Sequence, residues 1–261
     1  MVYKHSKNLG DLISVLPGLK NLYETKGEVS TIYQRLDMPV YMYNNWKHPV
    51  TNELGEEVCM NKYMFDMAYP LLKSQPYIKD FIIFEGQDYD VDLDSHMENK
   101  FIPIPASDIH HWQWFDNPEL SCDLSKAWLR AKPIKTGKII INFTERFRNP
   151  YITYFFLKKY QTDILFSGNQ KEWEDFCRIW GLEIERLEVT NFLQLAELIH
   201  GCKFFLGNQS MNWHIADALK VRRILEASSQ FPNTLPTGAN GYAFMGQKQL
   251  EYLFEKLYNE R

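Results

Sequence analysis

The stretch KFFLGNQSMNWHIADALKVRRIL, residues 203–225, decides the fold. KFFL (203–206) is short, apolar and aromatic, as a buried strand is. Gly207-Asn208-Gln209-Ser210 is a polar turn. Met211, Ile215, Ala218 and Leu219 then recur at helical spacing. VRRIL (221–225) is a second strand. Two strands joined through a helix must run parallel, and parallel strands need helices on both faces of their sheet.

The same alternation extends upstream. KIIINF (138–143) and DILF (163–166) are strand-like runs, with YITYFFLKKY (151–160) between them read as helical. A helix from about Gln170 carries Trp173, Phe176, Cys177 and Trp180 on one face and should stop at Gly181. Phe192, Leu195, Ala196 and Ile199 repeat that spacing before Gly201. A last helix covers 247–259. In the N-terminal part, VYKHS reads as a first strand, Asn8-Leu9-Gly10-Asp11 as a turn, and Leu12, Leu16, Leu19 and Tyr23 as a helix face interrupted by Pro17. Residues 29–33, 39–43, 81–84 and 101–104 are further strand candidates. Residues 44–62 and 85–100 read as loops, and so does the aromatic segment SDIHHWQWFDN (107–117). Pro and Gly in LRAKPIKTG (129–137) mark a boundary, giving domains 1–133 and 134–261.

The 261 residues carry 29 basic and 33 acidic side chains, a net charge of −4, which makes nucleic acid an unlikely partner. The four cysteines have no metal-ligand spacing, so no metal site is expected, and their scatter fits a reducing compartment. Neither an apolar leader nor a run of about 18 apolar residues is present, so a cytoplasmic protein without an integral membrane segment is expected. Walker, nucleophile-elbow, zinc and dinucleotide motifs are absent.

Three stretches carry chemistry. At the first strand-to-helix turn, Gly10 permits close backbone approach, and Asp11 is either a helix N-cap or a general base. After KIIIN, Thr144, Arg146 and Arg148 are placed to hold a diphosphate or else to form surface ion pairs. At the turn before the 211–219 helix, Gln209, Ser210, Met211 and Asn212 surround free N–H groups that favour an anion. His214, within that helix, is a ligand contact or a packed side chain. His110 and His111 are adjacent, so they point apart and make a poor metal site.

Taken together, HSKNLGDLISVLPGLKNL, the segment after KIIIN, and LQLAELIHGCKFFLGNQSMNWHIADAL resemble glycosyltransferase family 9, the heptosyltransferases of lipopolysaccharide biosynthesis. The resemblance implies a GT-B-like α/β fold of two Rossmann-like domains whose parallel sheets face a central cleft. The N-terminal domain would bind the acceptor and the C-terminal domain the nucleotide sugar. It implies a metal-independent inverting transferase with Asp11 as base. Gly10, Thr144, Arg146, Arg148, Gln209, Ser210, Met211, Asn212 and His214 would lie around the donor. No cofactor is implied beyond that nucleotide-diphosphate sugar as co-substrate, and the acceptor would be a saccharide or glycolipid. Gln209 and Met211 stand where the family usually has Asp and Gly. Three other readings remain open: a non-catalytic nucleotide- or glycan-binding protein, a glycosyltransferase acting on modified nucleic-acid bases, and a sugar-nucleotide epimerase or hydrolase of GT-B fold.

Overall fold

Every strand pair in the two sheets is parallel. The computed structural model describes residues 1–40, 46–98 and 108–260. The strand reading for 101–104, and all but the first two residues of that for 39–43, therefore fall outside the described residues. The chain divides into two compact units, the first made of 1–124, 128–130 and 190–194, the second of 125–127, 131–189 and 195–261.

The first unit holds β1 (Val2–His5), β2 (Ser30–Gln34), β3 (Ile78–Ile83) and β4 (Val91–Asp92) in the order β3-β2-β1-β4. Helices α1 (Leu9–Lys26), α2 (Lys62–Lys73) and α3 (Ile109–Asp116) accompany them. The acidic stretch read as a loop thus contributes a strand. β4 pairs with the free side of β1, where Lys4 meets the Asp92 carboxylate at 2.6 Å. Two residues are too short to leave a hydropathy pattern. Within the aromatic segment, Ile109–Asp116 is likewise a helix rather than a loop. Asp108 caps it by accepting from the His110 N–H at 2.8 Å, and it buries Trp112 and His110 while His111 faces solvent.

Helix α1 begins at Leu9, one turn earlier than its apolar spacing suggests, and runs through Pro17 to an αL cap at Gly27. Pro17 has no N–H for the Ile13 carbonyl. The Trp128 indole N–H donates to that oxygen instead, at 3.0 Å. The next carbonyl, Ser14 O, meets His110 Nδ1 at 2.9 Å. Gly18 allows the Leu120 backbone to approach, since a Cβ there would sit 2.6 Å from the Leu120 oxygen.

The second unit holds β5 (Ile139–Asn142), β6 (Ile164–Phe166), β7 (Glu185–Arg186), β8 (Phe205–Asn208), β9 (Arg223–Glu226) and β10 (Gly241–Phe244), ordered β10-β9-β8-β5-β6-β7. All residues of β5, β8 and β9 are buried, as strands covered on both faces must be. Helices α4 (Gln170–Trp180), α5 (Phe192–His200), α6 (Met211–Ala218) and α7 (Gln247–Asn259) follow their sequence readings. Residues 155–163 form a 3₁₀ helix, a tighter version of the expected one. Gly181 ends α4 at φ 61°, as read, but Gly201 has another role: a Cβ there would collide with the Ile134 carbonyl. In the core, Phe143 stacks on Phe176 with ring centroids 4.9 Å apart and planes 5° from parallel.

Trp128→Phe should cost about 1–3 kcal/mol by stranding the Ile13 carbonyl. Adding Pro17→Ala, which restores an N–H to that oxygen, should recover part of the loss in urea denaturation. Strict additivity of the two substitutions would show that the indole bond does not replace the missing helical one.

Candidate functional site

In an open parallel sheet, ligands gather where the chain turns in opposite directions after neighbouring strands. In the second unit that point lies between β5 and β8, whose ends pair at Asn142 and Gly207. The loop after β5 carries Thr144, Arg146 and Arg148. The loop after β8 carries Gln209 and Ser210 and opens α6 with Met211. The sheet therefore brings these two sequence-predicted stretches together.

A fully buried side chain, Asn208, ties them. Its Oδ1 accepts from the Thr144 N–H at 3.0 Å, and its Nδ2 donates to the Thr144 carbonyl at 3.1 Å and the Arg146 carbonyl at 2.6 Å. Sequence reading passed over Asn208. The available signal was an amide ending a strand beside a polar turn. Between Arg146 and Arg148, Phe147 holds a left-handed φ of 57°. Such a conformation costs roughly 1–3 kcal/mol and persists where surrounding contacts impose it. Asn208 grips one end of this turn. Glu226 grips the other by accepting the Asn149 N–H.

Each candidate has a definite setting. Ser210 is the N-cap of α6, its Oγ accepting from the Trp213 N–H at 3.3 Å. The first-turn N–H groups of α6, including those of Met211 and Asn212, have no partner within the helix by construction. Gln209 donates to Asn233 Oδ1 at 2.9 Å. The Asn212 side chain turns inward, donating to Ser167 Oγ at 2.8 Å and to the Ser167 carbonyl at 3.2 Å. His214 is buried within α6, and Met211 is half-buried.

The two arginines differ. Arg148 is engaged: its Nε donates to the fully buried Glu226 carboxylate at 3.1 Å, and its guanidinium lies 4.8 Å from the Phe143 ring centroid and 5.3 Å from that of Tyr154. The Tyr154 hydroxyl donates to the same carboxylate at 2.7 Å, and burial together with Glu226 pushes the phenol well above its ordinary range. Arg148 thus braces the loop. Arg146 lies 5.6 Å from the Phe147 ring centroid. Burial raises the nearby Glu172 carboxyl above its ordinary range, against the opposing influence of the Asn169 N–H and then of Arg146.

In the first unit the turning point lies between β1 and β4. The β1 loop leads into Gly10 and Asp11 in the first turn of α1. Gly10 is buried and helical, so its φ is ordinary. The N-cap is Asn8 rather than Asp11, which is the third helical residue. There its Oδ2 accepts from the Asn8 backbone N–H and the Asn8 side-chain amide, both at 3.2 Å. Across the turning point, Ser6 Oγ donates to Asp94 Oδ2. Burial raises the Asp11 carboxyl above its ordinary range, against the opposing influence of His5, Asn8 and His96. A carboxyl of raised proton affinity is a better acceptor of a hydroxyl proton. No cluster of three metal-ligating side chains occurs among the described residues.

No protein-family profile matches the sequence, and no curated protein matches it significantly. Solved structures do match. E. coli ADP-heptose lipopolysaccharide heptosyltransferase II superposes with a TM-score of 0.61 at 14% identity, over 98% of this chain and 97% of that one. E. coli heptosyltransferase WaaC with ADP gives 0.61 at 12%, over 98% and 100%. The glycosyl transferase family 9 protein of Veillonella parvula gives 0.60 at 12%, over 100% and 89%.

The fold is that of the family 9 heptosyltransferases. No helix among the described residues is long and apolar enough to cross a membrane.

The raised Asp11 carboxyl makes a pH prediction. The folded state holds this proton more tightly than the unfolded chain does. Stability is therefore lost as pH rises from the ordinary carboxyl value of 3.8 through the folded value, and the deficit stays constant above. Asp11→Asn, which keeps an acceptor for Asn8, should raise the melting temperature at pH 7. The gain should vanish below pH 3.8. A variant less stable than wild type at pH 7 would contradict the burial argument.

Proposed function

We propose that the chain is a metal-independent, inverting glycosyltransferase of the GT-B kind. It would move a sugar from a nucleotide-diphosphate donor to the hydroxyl of a saccharide or glycolipid, in the cytoplasm. The observation that carries this reading is the position of both candidate sites: each falls at the turning point of its own parallel sheet, in a fold shared with heptosyltransferases.

The second unit takes the donor. Its diphosphate lies against the start of α6, where unpaired N–H groups and the helix dipole favour negative charge. Arg146 adds a guanidinium matched to phosphate oxygens. Thr144 and Ser210 bound the site, while Arg148, Asn212 and His214 hold its walls. The first unit takes the acceptor. Asp11 removes the hydroxyl proton as the oxygen attacks the anomeric carbon, and the bond to the phosphate oxygen breaks. The leaving diphosphate gains charge, which the fixed dipoles and Arg146 stabilise without reorganisation.

Thermal-shift measurements against ADP-, UDP-, GDP- and CMP-linked sugars test the donor site. A true donor at 100 times its dissociation constant should add about 2.7 kcal/mol of stability. Arg146→Ala should remove most of that shift. Asp11→Ala should keep it while slowing transfer roughly 10²–10⁴-fold. Donor binding without transfer or hydrolysis would support a binding protein, and full transfer by a folded Asp11→Ala variant would remove Asp11 from the mechanism.

A further inference from the structure

The loop that follows β9 leaves the sheet where β8 also ends, since Glu226 pairs with Asn208. The reaction as written gives this loop no task. It is fixed at both ends. Near β9, Ser228 Oγ accepts from the N–H groups of Gln230 and Phe231, at 3.3 and 3.2 Å. Farther on, the Asp217 carboxylate accepts the Thr237 N–H and Arg223 Nη1 donates to the Ala239 carbonyl, both at 3.0 Å. Between these anchors Phe231 packs edge-on against Phe147, with ring centroids 5.5 Å apart. Asn233 Oδ1 accepts from Gln209 Nε2 at 2.9 Å. The loop therefore touches both stretches assigned to the donor, and its own contacts hold it there.

Asn233 and Thr234 are polar, yet only 6% and 5% exposed. Thr234 Oγ1 is enclosed and has no partner among the described residues. Asn233 and Gln209 each spend one amide group on their mutual bond. The Gln209 oxygen and the Asn233 NH2 are left, and no described residue hydrogen-bonds to either. Turning both amides over exchanges the roles and leaves the same set, one amide oxygen and one NH2. Chemistry restricts what such a pair takes. It carries no charge, so it is no anchor for an anion. Phosphate oxygens accept only, and would leave the amide oxygen unpaired at a cost. A hydroxyl both donates and accepts, so two neighbouring hydroxyls of a sugar answer both groups.

We propose that Asn233 is a specificity-determining residue of the donor site. With Gln209 as its partner, it reads neighbouring hydroxyls of the nucleotide sugar beside the start of α6. This rests on the donor-site reading above and adds to it a neutral wall supplied by a third loop. Gln209 immediately precedes the N-cap Ser210, so the pair adjoins the N–H groups that take the diphosphate. Two parts of a nucleotide sugar are attached to that diphosphate and carry neighbouring hydroxyls: the ribose and the sugar to be transferred.

Calorimetric titration of the full chain tests this with inorganic pyrophosphate, which has no hydroxyl, with nucleoside diphosphates, and with their sugar conjugates. Asn233→Leu should leave the pyrophosphate affinity unchanged and weaken the hydroxyl-bearing probes about five- to tenfold. Equal weakening of a nucleoside diphosphate and its sugar conjugate identifies the ribose as the group read. Weakening of the conjugate alone identifies the transferred sugar. Gln209→Leu should reproduce the pattern, and the double variant should lose little more than either single one, because the two amides act as a unit. A loss that extends to pyrophosphate would mean that Asn233 only holds the α6 turn, and overturns the proposal. So does a loss that persists with 2′,3′-dideoxynucleoside diphosphates, since the base would then be what is read. If Asn233→Leu does not fold, Gln209→Leu decides, at a half-buried position. Wild-type binding that both variants leave intact sinks this inference alone. Failure of the wild type to bind any of the probes sinks the donor-site reading and the inference with it.

Discussion

The side chain of Asn208 makes three hydrogen bonds to the backbone of residues 144–146, and the second unit's candidate site depends on them. It stands at the end of β8, buried, where its neighbour β5 also ends. A loop leaving the end of a buried strand carries backbone groups that water cannot reach, and each orphan costs free energy. One amide, donor and acceptor at once, answers several of them. It also fixes the spacing between the two loops that hold the candidate phosphate contacts. Gly207 belongs to the same arrangement, because a Cβ there would sit 2.6 Å from the Asn142 carbonyl and force the strand ends apart.

Charge is handled in contrasting ways in the two units. Glu226 and Asp217 are fully enclosed but saturated. Glu226 takes Arg148, Asn149 and Tyr154. Asp217 takes Arg223 Nε at 2.6 Å together with the Thr237 N–H at 3.0 Å. Burial works to raise Asp217, yet Arg223 and then Lys220 outweigh it, and the carboxyl ends below its ordinary range. Such groups are braces, since removing one partner strands the other. Asp11 differs. Its partners are neutral amide donors, one carboxyl oxygen lacks a partner among the described residues, and burial wins. An ionisable group kept short of stabilising contacts is what proton transfer requires.

The sequence made the second unit legible because its strands are continuous apolar runs and its helices have one-sided spacing. Ile139–Ile141 and Phe205–Leu206 are buried on both faces, which is the state that writes itself most plainly into composition. The first unit hid β4, because Val91–Asp92 is stabilised by Lys4 and by backbone pairing with β1 rather than by an apolar face. Helix α3 hid for a related reason: polar His110 and Gln113 are buried beside Ile109 and Trp112, so its inward face is mixed and leaves no one-sided apolar spacing. The candidate residues were found through turn position, which sequence shows. Which of them brace the loops was not, because that depends on partners distant in the chain. Arg148 is such a brace, held by Glu226, 78 positions away in the chain.

The helix that carries Asp11 shows how an apparent defect becomes an anchor. Pro17 removes one helical hydrogen bond from the middle of α1, ordinarily a reason for a helix to kink. Here the freed Ile13 carbonyl holds Trp128, and the next carbonyl holds His110, so one weakened turn receives two aromatic side chains from later in the chain. Those rings pack edge-to-face on each other at 5.2 Å. Gly18 lets the Leu120 backbone close over the same turn. These contacts immobilise α1 one and two turns beyond Asp11, while Asn8 fixes its first turn. The carboxylate is thereby held from both sides along the helix, without any of the holding groups neutralising its charge. A rigid mount is what the general base proposed above needs, and in this unit an interior proline and an interior glycine supply it.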